Sequence, residues 1–388
     1  MASTIVSTRN MAIEGVAPSW QRQFNGAQAK VPEGTIIVSA DNHWSLAEDP
    51  WKARAPASMQ DRLPHVWWDE ALGVNNIGFN GVGVYNELRA QGIKSIEARP
   101  GTHRIKERMA DLDADGVAME IVFPQLLLMF NAHPDIEARE LIFRTYNEYL
   151  ADLQKESGGR YFGVGFPNFW DPSKTRESIH HIKDLGLKSF VTPLSPGVFP
   201  DSGAPIWYAS QEMDVLWSAA EECNLPVWFH AGESLPVGNP GGAGALMLGI
   251  FMPFRKQWGE LVFGGVFDRH PNLRVAFAEA GINWVPGMLQ DAEMIVDTIG
   301  ANLMPGIKHR PSDYWHQNCY STFMADNVGL EMLKYIGSDR VMWATDYPHS
   351  EGVHGYSKAI IEDVVARVSP AEAKRILGGT AIELFDLV

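Results

Sequence analysis

The sequence predicts an α/β fold, a single (β/α)8 TIM barrel with a long insertion after its first strand and an N-terminal arm. Three observations predict it. Eight apolar, strand-like runs alternate with helical segments, the order of parallel strands joined by helical crossovers. The first run, Ile36-Ile37-Val38-Ser39-Ala40, closes on Asp41-Asn42-His43, where an open nucleotide-binding sheet normally carries a Gly-rich turn. Acidic or imidazole side chains stand at the ends of several runs, the position at which barrel enzymes place their chemistry.

Taken in order, residues 1–35 mix polar residues, Gly and Pro without a firm period and read as an arm on the surface or on a neighbouring subunit. After the first strand, residues 44–102 form a stretch unusually long for a loop, rich in aromatics (Trp44, Trp51, Trp67, Trp68, Phe79, Tyr85), and are expected to act as a lid. Helical spacing resumes over 103–114, where Ile105, Met109 and Leu112 share one face. Strands are then expected over 117–124, 161–167, 189–194, 226–230, 273–279, 319–324 and 340–346. Helices are expected near 136–156, 173–185 and 211–223. Several strands end in Pro (Pro124, Pro167, Pro193, Pro348), which breaks the chain where it leaves the barrel. The Gly-rich piece 237–244 reads as a mobile active-site loop. Residues 36–388 are expected to form one domain.

Composition narrows the function. The chain has 388 residues, 45% of them hydrophobic, enough for a large core. Its formal charge of -15 argues against a nucleic-acid or anionic-membrane partner, because phosphate binding needs a basic surface. Cys223 and Cys319 have no paired spacing, and no run is apolar and long enough to span a membrane or serve as a secretory signal. A cytoplasmic protein is the expectation.

The strand-end residues are Asp41, His43, His230, Glu279 and Asp346. Residues two apart on a strand face the same side, so Asp41 and His43 are expected to project together. One such group is usually a satisfied structural residue. Five at strand ends are better explained by one divalent ion, since mixed imidazole and carboxylate donors suit Zn²⁺ first and Mn²⁺ second, with a position left open for chemistry.

These pieces resemble a known family. Val38-Ser39-Ala40-Asp41-Asn42-His43, the Phe229-His230 strand end, His270-Pro271-Asn272-Leu273-Arg274 leading to Ala278-Glu279-Ala280-Gly281, and Thr345-Asp346-Tyr347-Pro348-His349 together are similar to the amidohydrolase-2 family. The branch they resemble is that of aminocarboxymuconate-semialdehyde decarboxylase. The resemblance implies a metal-dependent barrel enzyme, a homodimer or larger, acting on small aromatic or carboxylated compounds. It implies Asp41, His43, His230 and Asp346 as metal ligands. The family's decarboxylases carry a sixth-strand histidine as acid or base, and this chain has Glu279 there.

The expected function is therefore hydrolysis of a small aromatic or ring-cleavage compound by a metal-activated water. Asp346 takes the proton, and Glu279 or His349 assists the leaving group. The alternative is non-oxidative decarboxylation of an aromatic or muconate-type acid, and a third reading is a barrel that binds without catalysing. His349 is also read as a partner that orients Asp346. Arg54, Arg104, Arg255 and Arg310 are candidates to pair a substrate carboxylate. His133, His354 and Glu233, in expected strand-end loops, rank below Glu279 and His349, and no Gly-x-Ser-x-Gly elbow offers a rival mechanism.

Overall fold

The structure, a computed structural model, describes residues 28–125, 127–232, 252–300 and 307–388. Most of the N-terminal arm, Glu233 and the Gly-rich piece 237–244 lie outside the described residues.

All eight expected runs form parallel strands. They are β1 (Val38–Trp44), β5 (Met119–Pro124), β6 (Tyr161–Gly163), β7 (Phe190–Val191), β8 (Val227–His230), β9 (Val275–Ala278), β10 (Cys319–Phe323) and β11 (Val341–Trp343). One sheet has the order β1-β5-β6 and the other β11-β10-β9-β8-β7. Single parallel bridges, Gly165 with Phe190 and Asn42 with Tyr347, join the two sheets at both margins. Strands covered on both faces read as continuous apolar runs, and β1, β8 and β9 are buried at every position.

The expected helices are present as Ile105–Asp115, Ile136–Glu156, Pro172–Asp184 and Asp214–Cys223. Their ends are locally encoded. Asp135 and Asp171 cap N-termini by accepting backbone N–H groups of Ala138 and Ser173, and Gly116 ends its helix with a φ of 76° that favours glycine.

Residues 44–102 are more ordered than the expected loop. They hold an antiparallel sheet of β2 (His65–Asp69), β3 (Val74–Phe79) and β4 (Val82–Gly83), and a helix over Glu87–Glu97. Val74, Ala90, Ile93 and Ile96 give this unit a small core of its own. Its aromatics divide: Trp44 and Trp51 are buried in the main core, while Trp68 is exposed. Both cysteines are free and buried, and no described helix is long and apolar enough to cross a membrane.

Candidate metal centre

The carboxyl ends of β1, β8, β9 and β11 bring the expected residues to one place. Asp41 Oδ1 lies 3.6 Å from His43 Nε2 and 3.3 Å from His230 Nε2. His43 Nε2 lies 3.2 Å from Asp346 Oδ1, and His349 Nδ1 lies 2.8 Å from the same oxygen. Three overlapping sets of side chains place ligand atoms within 4.8 Å of one another: Asp41, His43 and His230; His43, Asp346 and His349; Glu279, Asp346 and Glu351.

β1 reaches this geometry through an irregularity. Its register against β5 shifts between Ser39 and Asn42. Across that shift the Asp346 N–H donates to Asp41 O (2.8 Å) and the His43 N–H donates to Tyr347 O (2.6 Å), locking the strand end to the turn after β11. Asn42, between Asp41 and His43, turns away from the cluster into a buried network. Its Nδ2 donates to Glu120 Oε2 (2.6 Å), and its Oδ1 accepts from Ser39 Oγ, Thr345 Oγ1 and the Tyr347 N–H. Arg108 completes the network with two 2.7 Å bonds to Glu120 and a third, of 2.8 Å, to His43 O.

Asp346 and Glu279 both have a φ of 56°, uncommon for residues with a Cβ, at equivalent strand ends. Strained backbone of this kind persists only where its surroundings hold it, and it clusters at functional sites. The Glu279 N–H donates to Thr322 Oγ1 (2.9 Å), one of the contacts that hold it.

The charges are strongly coupled. Burial raises the Glu279 pKa and the nearby Asp346 charge adds to it, reaching about 8. Burial alone would lower His230, but the charge and hydrogen bond of Asp41 raise it to about 9. Burial also works against a charged His349, which Asp346 nevertheless raises to about 9. His43 goes the other way: burial, then the neighbouring His349 charge, lowers it to about 3 and keeps its ring neutral. Burial would raise Asp346, yet His349 holds it well below the usual carboxylate range.

The donor set fits a divalent cation. Both ring nitrogens of His43 and Oδ2 of Asp346 are buried without a hydrogen-bond partner among the described residues. A cation between them would satisfy these atoms. His230 Nδ1 donates to Ala231 O (2.7 Å), so Nε2, 3.3 Å from Asp41 Oδ1, is the nitrogen that would coordinate. His349 Nε2 is held by the Gln125 side chain at 2.9–3.1 Å.

Other sequence candidates fall away. Arg54 pairs with Asp152, Arg104 with Glu107, Arg255 with Asp291, and Arg310 with Glu293 and Asp297. All four are committed to acids at the surface, where a guanidinium meets a carboxylate at little desolvation cost. His133 packs on Phe79 and His354 on Tyr347. Gln125, Glu351 and Arg108 escaped the sequence reading, although a charged Glu120 inside the apolar run Met119–Phe123 signalled a buried partner.

A parallel α/β frame with this strand-end cluster defines the class of protein. The amidohydrolase family matches residues 43–387, and the chain belongs to it. Gamma-resorcylate decarboxylase of Rhodococcus jostii (strain RHA1) is 24% identical over 313 residues, covering 74% of this chain and 92% of its own. Among solved structures, an amidohydrolase from Mycobacterium avium subsp. paratuberculosis K-10 has a TM-score of 0.71 at 17% identity, covering 91% of this chain and 98% of its own. Dihydroxybenzoic acid decarboxylase of Polaromonas sp. JS666, with bound manganese and the inhibitor 2-nitroresorcinol, has a TM-score of 0.64 at 17% identity, covering 91% and 97%.

Proposed function

We propose that this protein is a metal-dependent, non-oxidative decarboxylase of a hydroxylated aromatic acid, built on a (β/α)8 TIM barrel whose 44–102 insertion covers the strand ends. The observation that carries the reading is the match to gamma-resorcylate decarboxylase over nearly that enzyme's whole length, together with the convergence of Asp41, His43, His230 and Asp346. It reverses the order of the two sequence-based readings, placing decarboxylation ahead of hydrolysis.

Asp41, His43, His230 and Asp346 would hold the ion, with His349 fixing Asp346 and Gln125 fixing His349. A divalent cation held there would supply positive charge that offsets the substrate's carboxylate and the negative charge developing on the ring. The Polaromonas structure adds weight to Mn²⁺ beside Zn²⁺, and two imidazoles with two carboxylates accept either.

Glu279 is the proton donor in this reading. Its burial favours the neutral acid at neutral pH, as general-acid work requires. The ring carbon bearing the carboxylate receives the Glu279 proton. The carbon–carboxylate bond then breaks, its electron pair returns to the ring, and CO₂ leaves. A glutamic acid thus stands where the resemblance led us to expect a histidine. A homodimer or larger homo-oligomer remains the working assembly.

The test is a panel of hydroxybenzoates and aromatic amides and esters, assayed with metal-stripped protein and with protein reconstituted with Mn²⁺ or Zn²⁺ in ¹⁸O-labelled water. CO₂ release that needs the ion and leaves the aromatic product free of label is the expected result. Labelled acid from an amide or ester would restore the hydrolase reading.

A further inference from the structure

The helix Ile105–Asp115 follows the insertion in the chain and precedes β5, and Arg108, Asp111 and Asp115 share one of its faces by their spacing of three and four. Each grips part of the frame that carries the candidate ligands. Arg108 donates to His43 O (2.8 Å) at the end of β1. Asp111 Oδ2 accepts from Tyr347 Oη (2.5 Å), while Asp115 accepts from the Gly355 N–H (2.9 Å) and from Ser357 Oγ (2.5 Å). One helix face thus holds the end of β1 and both ends of the loop that follows β11.

That loop is closed on itself. The Val353 N–H donates to Thr345 O (2.7 Å), and the His349 N–H donates to Asp346 O (2.9 Å). Gly352 has no room for a Cβ, which would stand 2.7 Å from both Thr345 O and Asp346 O. Its placement against β1 therefore depends on anchors outside it, and Tyr347 is the one next to Asp346. Tyr347 is 4% exposed, its carbonyl accepts from the His43 N–H (2.6 Å), and Arg108 Cζ lies 4.7 Å from its ring centroid. The hydroxyl carries its link to Asp111.

The fit around that link is tight. Gly101, near the end of the insertion, approaches the same two atoms: a Cβ there would lie 2.3 Å from Asp111 Oδ2 and 2.7 Å from Tyr347 Oη. Both are side-chain ends that could retreat, but only by parting from each other.

We propose that Tyr347 and Asp111 are positioning residues for the metal centre, their hydrogen bond setting how Asp346 meets His43 and so how tightly the ion is held. Asp346 Oδ1 stands 3.2 Å from His43 Nε2, a span fixed by where the loop sits against β1. The inference rests on the assignment of His43 and Asp346 as metal ligands and holds for either reaction.

The test measures Mn²⁺ affinity by chelator competition and the melting temperature of the metal-free protein by calorimetry. Tyr347→Phe removes one hydroxyl and keeps the ring; it should bind Mn²⁺ about 10- to 100-fold more weakly, the usual effect of removing a group that orients a ligand. Gly101→Ala leaves both partners in place, drives a methyl between them and should reproduce the loss. Asp111→Leu should do the same, whereas Asp111→Asn keeps an acceptor for the hydroxyl and should stay within about threefold of the wild type. Tyr347→Phe/Asp111→Leu should bind no more weakly than either single variant, because both remove one bond. The visible absorption of Co²⁺-loaded protein should shift in Tyr347→Phe and keep its wild-type form in Asp111→Asn. Tyr314→Phe is the control: it removes a 2.7 Å bond to Asp268 beside the start of β10 and should alter melting alone.

Tyr347→Phe and Gly101→Ala within about twofold of the wild type overturn the positioning role, as does an equal loss of affinity in Tyr314→Phe. Should Tyr347→Phe fail to fold, Gly101→Ala and the two Asp111 variants decide. Wild-type protein that takes up neither Mn²⁺ nor Zn²⁺ overturns the metal reading and this inference with it, whereas a wild type that binds beside variants that bind equally overturns the inference alone.

Discussion

Arg108 is the residue on which the geometry of the candidate centre leans most heavily without belonging to it. Its guanidinium and the Glu120 carboxylate are fully buried and joined by two 2.7 Å bonds. A third bond, 2.8 Å to His43 O, fastens the strand end that carries two of the proposed ligands. Arg108→Met fills most of the volume and leaves Glu120 charged and buried, with Asn42 as its remaining side-chain partner. Breaking one side of such a pair costs about 3–5 kcal/mol. An unfolding entropy of about 2.1 cal/mol/K per residue gives about 0.8 kcal/mol/K for this chain, so the melting temperature should fall by about 5 °C. Loosening His43 should also weaken ion binding by about 10- to 100-fold, the usual effect of removing a group that orients a ligand.

Calorimetry of the metal-free protein and chelator competition measure the two effects separately. The double variant Arg108→Met/Glu120→Leu removes the stranded charge and should recover about half of the lost stability, the remainder reflecting the Asn42 amide left without its acceptor. A single variant within about 1 °C of the wild type, or a double variant that melts lower than the single, would refute the argument.

Glu279→Gln keeps size and removes the acid, so kcat should fall by about 10²- to 10⁴-fold with KM little changed; steady-state kinetics that show a KM effect alone would assign Glu279 to binding. Asp346→Asn should reduce bound metal, measured by elemental analysis, and lower turnover by at least about a hundredfold while the fold persists by circular dichroism. Ion binding should strengthen as pH rises to about 9, because His230, held protonated by Asp41, must release its proton to coordinate. The same raised pKa makes the His230 proton stabilise the ion-free protein. That contribution is complete below the unfolded value of about 6.5 and is lost as pH rises through about 9. Chelator titrations and urea midpoints across this window check both signs, and a metal affinity independent of pH between 6.5 and 9 contradicts the assignment.

The candidate ligands were legible as letters because each closes a local apolar run, and burial of a parallel strand writes itself into consecutive residues. The same holds for the helices Ile136–Glu156 and Pro172–Asp184, whose caps Asp135 and Asp171 each lie one residue before them. The small sheet inside the insertion was not legible because β4 has only two residues, Val82–Gly83, and the short run before it carries polar residues such as Asn75 and Asn76. The four arginines were misjudged because their acidic partners are mostly remote in sequence, as Arg54 is from Asp152.

The sequence by itself determined which residue types stand at the strand ends, that the strands run parallel between helical crossovers, and that the chain belongs with amidohydrolases. The first two follow from local periodicity and from the cost of leaving charge at the end of an apolar strand, and the third from the resemblance of the strand-end motifs to that family. Only the tertiary structure decided that Asp41, His43, His230 and Asp346 converge, that Asn42 anchors a buried network, and that His349 is held by Gln125. Those relations depend on a shifted register in β1 and on contacts between residues up to 306 positions apart, such as Ser39 and Thr345. Distances of that kind are set by how the strands close against one another, which no local pattern encodes.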